Sequence, residues 1–211
     1  MKTVFWIGWW LSRMVGRIFG SMEVSGTENV PQKGGFILAP NHISYLDPPI
    51  AGCCISRQVH FMAKEELFEV PILGKLIKIT GSFPVKRGTA DRQAIRKALE
   101  LLEKGEVVAI FPEGTRSEDG KLQEPEIGIG MIALKSKAPI VPVALTGTDQ
   151  VLRRGSKRLR FAKIKVRIGK PLYFPDLYEK KTNRDAMQEV GTRVMAEIAK
   201  LKSEINAAPC L

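Results

Sequence analysis

The chain has little of the residue chemistry that metal, redox and disulfide proteins use. Histidine occurs twice, at His42 and His60, which excludes a multi-histidine zinc site. Cysteine occurs three times, at Cys53, Cys54 and Cys210. Adjacent cysteines bridge poorly and an odd count does not suit a disulfide scaffold, so a reducing cytoplasm is the expected setting. No run reaches the roughly 18–20 consecutive apolar residues of a spanning helix. The longest, VFWIGWWL from Val4 to Leu11, lies between Lys2 and Arg13. A basic start before a short apolar run could open a signal peptide, but no A-x-A type cleavage site is present and arginines follow. There is no G-x-x-x-x-G-K-[ST] loop and no G-x-S-x-G elbow. GIGMIA, Gly128 to Ala133, fits G-x-G-x-x-A, yet it follows LQEPEI, which is no strand. Small residues that let a helix pack closely are the better reading.

Acidic residues are in deficit. Against 33 lysines and arginines stand 22 carboxylates, a net charge of +11. Between Asp149 and Asp176 there is no acidic residue, and Arg153 to Lys170 (RRGSKRLRFAKIKVRIGK) is dense in cations. An anionic partner is implied: nucleic acid, an acidic protein, coenzyme A phosphates or anionic lipid. No helix-turn-helix, finger or RNP-type aromatic pattern accompanies the charge, so no nucleic acid is expected. A solvated basic face is the plainer alternative.

At 211 residues the chain suits one domain with a proper core. Residues 3–20 read as an amphipathic helix, with Val4, Ile7, Leu11, Met14, Val15, Ile18 and Phe19 on one face. Arg13 and Arg17 fall opposite, with Trp6, Trp9 and Trp10 beside them, a pattern suited to a headgroup boundary. A core helix packed on the domain is the competing reading. Beyond it, strands are expected at Phe36–Ala39, Val59–Met62, Phe83–Val85, Val107–Phe111, Ile140–Leu145 and Ile164–Ile168. Helices are expected at Pro48–Ile55, Ile72–Lys78, Ala90–Lys104, Gly128–Ser136 and Asn183–Ile205, the last capped by Thr182. Continuous apolar strands such as VVAIF and IVPVAL read as buried on both faces. The expected fold is α/β: a single domain, 21–211, with a mixed, largely buried sheet flanked by helices, preceded by the amphipathic helix over 1–20.

With so few histidines, APNHISYLDPP stands out. A strand ends at Pro40, the chain turns through Asn41 and His42, and Asp47 precedes two prolines suited to a helix's first turn. On a regular helix His42 and Asp47 would lie about 140° apart, so they meet only if the residues between them form a turn. An imidazole oriented by a carboxylate is a recurring general base; a helix-capping aspartate beside an unrelated loop histidine is the alternative. The second cluster, FPEGTRS, follows the strand ending at Phe111, where open α/β sheets place ligands. Gly114 permits close backbone approach, and Thr115, Arg116 and Ser117 offer donors to a phosphate or carboxylate, with Glu113 able to orient a hydroxyl or a donor. GSFPVKRG supplies Lys86 and Arg87, and in IVPVALTG Pro142 interrupts an apolar strand.

These four segments, in this order over residues 22–147, resemble the glycerolipid acyltransferase family, specifically the 1-acyl-sn-glycerol-3-phosphate acyltransferases. A lone H-x-x-x-x-D is weak; joined to FPEGTRS in register it is specific. The resemblance implies His42 as general base with Asp47 its partner, Arg87, Glu113, Gly114, Thr115 and Arg116 around the glycerol phosphate, and Pro142 shaping the pocket. It implies acyl transfer from acyl carrier protein or acyl-CoA to a lysophospholipid, giving phosphatidic acid. No metal, no cofactor and no covalent enzyme intermediate are required, because a thioester is already activated. Glycerol 3-phosphate or another lysolipid are alternative acceptors. A membrane-binding module with a degenerate site and a nucleic-acid binder are the non-enzymatic rivals. The expected location is cytoplasmic, peripheral on an anionic membrane surface at the inner face of the cell membrane.

Overall fold

The chain's apolar strands place alternate residues on opposite faces, and each face has its own core. Ile37, Ala39, Val108, Ile110 and Ile140 meet one cluster of helices; Phe36, Leu38, Val107, Ala109, Val141 and Val143 meet the other side. The structure, a computed structural model, describes residues 21–207 apart from 87, 89, 90, 154, 157 and 179–182, together with 10, 13, 14 and 18.

The strands are β1 (Glu23–Ser25), β2 (Phe36–Pro40), β3 (Val59–Lys64), β4 (Phe83–Val85), β5 (Val107–Ala109), β6 (Ile140–Thr146) and β7 (Lys165–Ile168). The helices are α1 (Asp47–Cys53), α2 (Leu73–Ile79), α3 (Arg92–Glu103), α4 (Ile127–Ser136), α5 (Thr148–Val151), α6 (Pro175–Tyr178) and α7 (Arg184–Ala207). The described strands form one seven-stranded sheet in the order β1-β7-β6-β2-β5-β3-β4. Every pairing is parallel except β6 with β7, so the sheet is mixed. The expected single α/β domain is therefore what forms. β2 and β5 are buried throughout, as their unbroken apolar runs require.

Helices α3, α4 and α7 cover one face and α1 covers the other. Gly130 explains the tight fit of α4 on α7: a Cβ there would lie 2.0 Å from the Met187 carbonyl oxygen. The GIGMIA segment is thus a helix-packing feature. Asp91 caps α3 by accepting from Gln93 and Ala94 N–H. The cap of α7 lies one residue beyond the expected Thr182, which is outside the described residues: Asn183 Oδ1 accepts from Ala186 N–H at 2.8 Å.

The topology decides where chemistry can gather. β4, β3, β5, β2 and β6 run parallel, so their carboxyl ends share one edge of the sheet. The four motif segments leave these strands at that edge, where open α/β sheets form ligand crevices. Pro142 is tolerated because its missing N–H faces the place where β7 has already ended. Its carbonyl accepts from Gly169 at 2.9 Å, and the ring fills the space above that glycine.

Candidate active site

β2 ends by borrowing a side chain. Asn41 is fully buried; its amide donates to the Leu145 carbonyl (3.1 Å) and its carbonyl accepts from Leu145 N–H (2.7 Å). This side-chain pairing extends the β2–β6 ladder by one position and sets the exit direction of the next residue, His42. Residues 44–46 form a turn, closed by Asp47 N–H donating to the Ser44 carbonyl at 3.3 Å. The turn is what brings together two side chains that a continuous helix would hold apart.

His42 Nδ1 and Asp47 Oδ2 are 2.8 Å apart, and both residues are buried. The same oxygen accepts from the N–H groups of Ile43 and Ser44, each at 2.6 Å. Oδ1 takes the hydroxyl of Thr148 at 2.6 Å. A carboxylate only accepts, so Nδ1 is the donor; in the neutral ring Nε2 then carries the lone pair, the tautomer a general base needs. Asp47 is not a cap for α1, because its side chain accepts from residues before the helix. The His42 ring is fixed a second way, stacked on Phe111 with centroids 4.0 Å apart.

Glu113 joins the two principal loops. Its Oε1 accepts from His42 N–H (2.8 Å) and its Oε2 from Gln123 N–H (3.1 Å). Ser117 N–H returns a bond to the His42 carbonyl at 2.8 Å. Burial raises the Glu113 carboxyl above its ordinary value, and the two backbone donors and Lys202 oppose that rise. Both Glu113 oxygens are thus engaged by backbone N–H groups, one of them that of His42.

The other expected residues fall in different places. Gly114 takes φ 65°, and a Cβ there would lie 2.7 Å from Glu126 Cγ, so the loop requires glycine. Thr115 is exposed. Arg116 is half-buried, its guanidinium carbon 3.5 Å from the centre of the Tyr45 ring. Pro142 is buried against Gly169 and is not among the residues lining the two clefts described below. Arg87, Trp6, Trp9 and Arg17 lie outside the described residues. Trp10 is exposed, and Arg13 donates to the Cys53 carbonyl at 3.2 Å. Of the basic run, Arg167 pairs with Glu204 (2.7 Å) and Lys163 with Glu23 (2.6 Å).

Two clefts meet at Phe111 and Met62. One, of about 340 Å³, opens at His42 and Tyr45 and is walled by aliphatic residues of α1, β3 and α2. The other, of about 380 Å³, lies between Lys86, Gly114 and the start of α4.

A family model described as Acyltransferase matches residues 21–146. The chain belongs to that family. It is an enzyme of the same kind as its relatives. Over 159 residues it is 38% identical to the 1-acyl-sn-glycerol-3-phosphate acyltransferase of Bacillus subtilis (strain 168), covering 74% of this chain and 76% of that protein. It is 33% identical to the chloroplastic 1-acyl-sn-glycerol-3-phosphate acyltransferase BAT2 of Brassica napus, of which it spans 46%. The crystal structure of the 1-acyl-sn-glycerophosphate (LPA) acyltransferase PlsC from Thermotoga maritima superposes with a TM-score of 0.80 at 28% identity, covering all of this chain and 81% of that one. No helix among the described residues is long and apolar enough to cross a membrane.

Sequence reasoning missed Thr148, and it foresaw no contact of Phe111, the first residue of FPEGTRS, with His42. Thr148 carried one usable signal: it follows Gly147 at the carboxyl end of a strand parallel to β2.

Proposed function

We propose that this acyltransferase moves a fatty acyl group from the thioester of acyl carrier protein or coenzyme A to the free hydroxyl of 1-acylglycerol 3-phosphate, giving phosphatidic acid. The observation that carries the reading is the His42–Asp47 pair, whose hydrogen bond engages Nδ1 and so assigns Nε2 to the reacting side, at a cleft lined by apolar side chains. Nε2 takes the hydroxyl proton as that oxygen attacks the thioester carbonyl. The tetrahedral intermediate collapses with loss of the thiolate, which takes the proton back from the imidazolium. Asp47 holds the ring and stabilises its charged form.

Arg116, which has no acidic partner among the described residues, stands beside Tyr45 at the mouth of the His42 cleft and suits the acceptor's phosphate. Lys86, on the second cleft, and neighbouring Arg87 supply further positive charge. The work takes place at the inner face of the cell membrane, where the basic run would meet anionic lipid or an acidic donor protein. The test is purified protein with both donors and a panel of lysolipid and glycerol 3-phosphate acceptors, products read by mass spectrometry. His42→Ala should lower turnover by about 10²–10⁴-fold with the fold intact. Near-normal turnover in that variant would overturn the mechanism.

A further inference from the structure

α2 is an amphipathic helix with its apolar side turned outward. Val70, Ile72, Leu73, Leu76 and Ile79 are exposed within ten residues, Ile72 to 82%. Exposed apolar residues are ordinary when scattered, but a contiguous group on one short element marks an interaction surface. At about 100° per residue, Ile79, Leu76, Leu73 and Ile77 follow one another around the helix as one apolar arc. Lys75 borders that arc beside Ile79, and Lys78 lies about 60° further round on the same basic side; among the described residues neither has an acidic partner. The inner part of the arc, Leu73, Leu76 and Ile77, lines the cleft that holds His42. A single helix face thus runs from solvent into the catalytic cleft.

Ile72 sits at the tip. It has φ 68° and ψ −57°, and Leu73 N–H donates to the Pro71 carbonyl at 2.8 Å across it. This is the rarer, strained form of the γ-turn, uncommon for a β-branched residue. The turn turns the Ile72 side chain away from the fold. On the other rim, Arg13 is tied to Cys53, a cleft residue, and nearby Trp10, Met14 and Ile18 are exposed.

We propose that Val70–Ile79 is a bilayer-docking surface, which lowers its apolar arc into an anionic leaflet and sets the cleft mouth at the level of the acyl chains. A lipid surface is the occupant because exposed aliphatic side chains bordered on one side by exposed lysines match an apolar interior beneath an anionic headgroup layer. The identity of the cleft's guest rests on the proposed acyl transfer; the docking does not.

The experiment uses the full chain with vesicles of phosphatidylcholine alone or with one quarter phosphatidylglycerol. The variants are Val70→Ser/Ile72→Ser/Ile79→Ser, none of which lines the cleft, and Lys75→Glu/Lys78→Glu. The triple variant should lose vesicle affinity by about tenfold or more, since each position gives up buried apolar area. The lysine variant should lose the preference for anionic vesicles and its salt sensitivity. Turnover of a short-chain, monomeric acceptor should be unchanged in the triple variant, while turnover of vesicle-borne lysolipid falls. Wild-type vesicle binding by the triple variant overturns the proposal, as does a wild-type protein that sediments as a dimer which the triple variant dissociates. If the wild type docks through this face yet yields no product from the monomeric acceptor, the docking stands and the reading of acyl transfer fails.

Discussion

Asp47→Asn separates the two services that Asp47 gives His42, placement and charge. Three N–H groups converge on Oδ2, from His42 Nδ1, Ile43 and Ser44, whereas Oδ1 faces only the Thr148 hydroxyl. An asparagine there has one comfortable orientation: carbonyl toward the three donors, NH2 toward a hydroxyl that rotates to accept. The His42 tautomer is therefore preserved, and what disappears is the negative charge. A hydrogen bond to a charged group contributes about 1.5–3 kcal/mol against about 0.5–1.5 for a neutral one, so the imidazolium formed during reaction loses about 1–2 kcal/mol. That corresponds to roughly a 5–30-fold fall in kcat. Asp47→Ala removes placement as well and leaves three inward-facing donors unmet, so its kcat should fall toward the roughly 10²–10⁴-fold of base loss. The assay is the initial rate with saturating thioester and a short-chain acceptor, alongside thermal melts of both variants. Equal loss in asparagine and alanine variants would refute the claim that the backbone donors select the orientation.

Thr148→Val keeps the side chain's shape but leaves Asp47 Oδ1 without a donor, so stability should drop by about 1–3 kcal/mol and kcat by several-fold with KM unchanged, whereas Thr148→Ser should restore both. Arg116→Ala should raise KM for a phosphate-bearing acceptor by roughly 10-fold or more and leave the thioester KM alone; equal changes in both would assign Arg116 to the scaffold. Burial raises the Glu113 carboxyl, so between its unfolded and folded values only the folded protein holds the proton. Stability from this group is therefore greatest below that interval and declines as pH rises through it. Urea titrations across pH should show that decline in the wild type and its absence in Glu113→Gln, which should also be less stable throughout because one backbone donor meets an NH2.

Long apolar runs made most of the sheet legible. β2, β3, β4, β5, β6 and β7 lie where VVAIF-like segments stand, within one to two residues at their ends. β1 escaped because Glu23–Ser25 is three residues long with a single apolar residue, and long-range pairing with β7 creates it. The four-residue helices α5 and α6 are too short for a periodic signal. The His42–Asp47 contact was legible as a possibility only, since its turn depends on Ser44 and on donors that no spacing rule supplies. Glu113 shows the converse: its type drew attention to substrate, while the backbone N–H groups that its oxygens accept from could not be read from spacing.

The family match ends at residue 146, two positions before the hydroxyl that holds Asp47. Past that boundary also lie Val190, Val194 and Ile198 of α7, which complete the helical cover of one face of the sheet beside α3 and α4. The stretch by which relatives are recognised is thus smaller than the part that can be exchanged between them. A chimera cut where the match stops would pair one parent's aspartate with the other's threonine and one parent's strands with the other's helix. Inheritance of this site has to run at least through Thr148 of α5, because the matched stretch leaves the carboxylate one donor short.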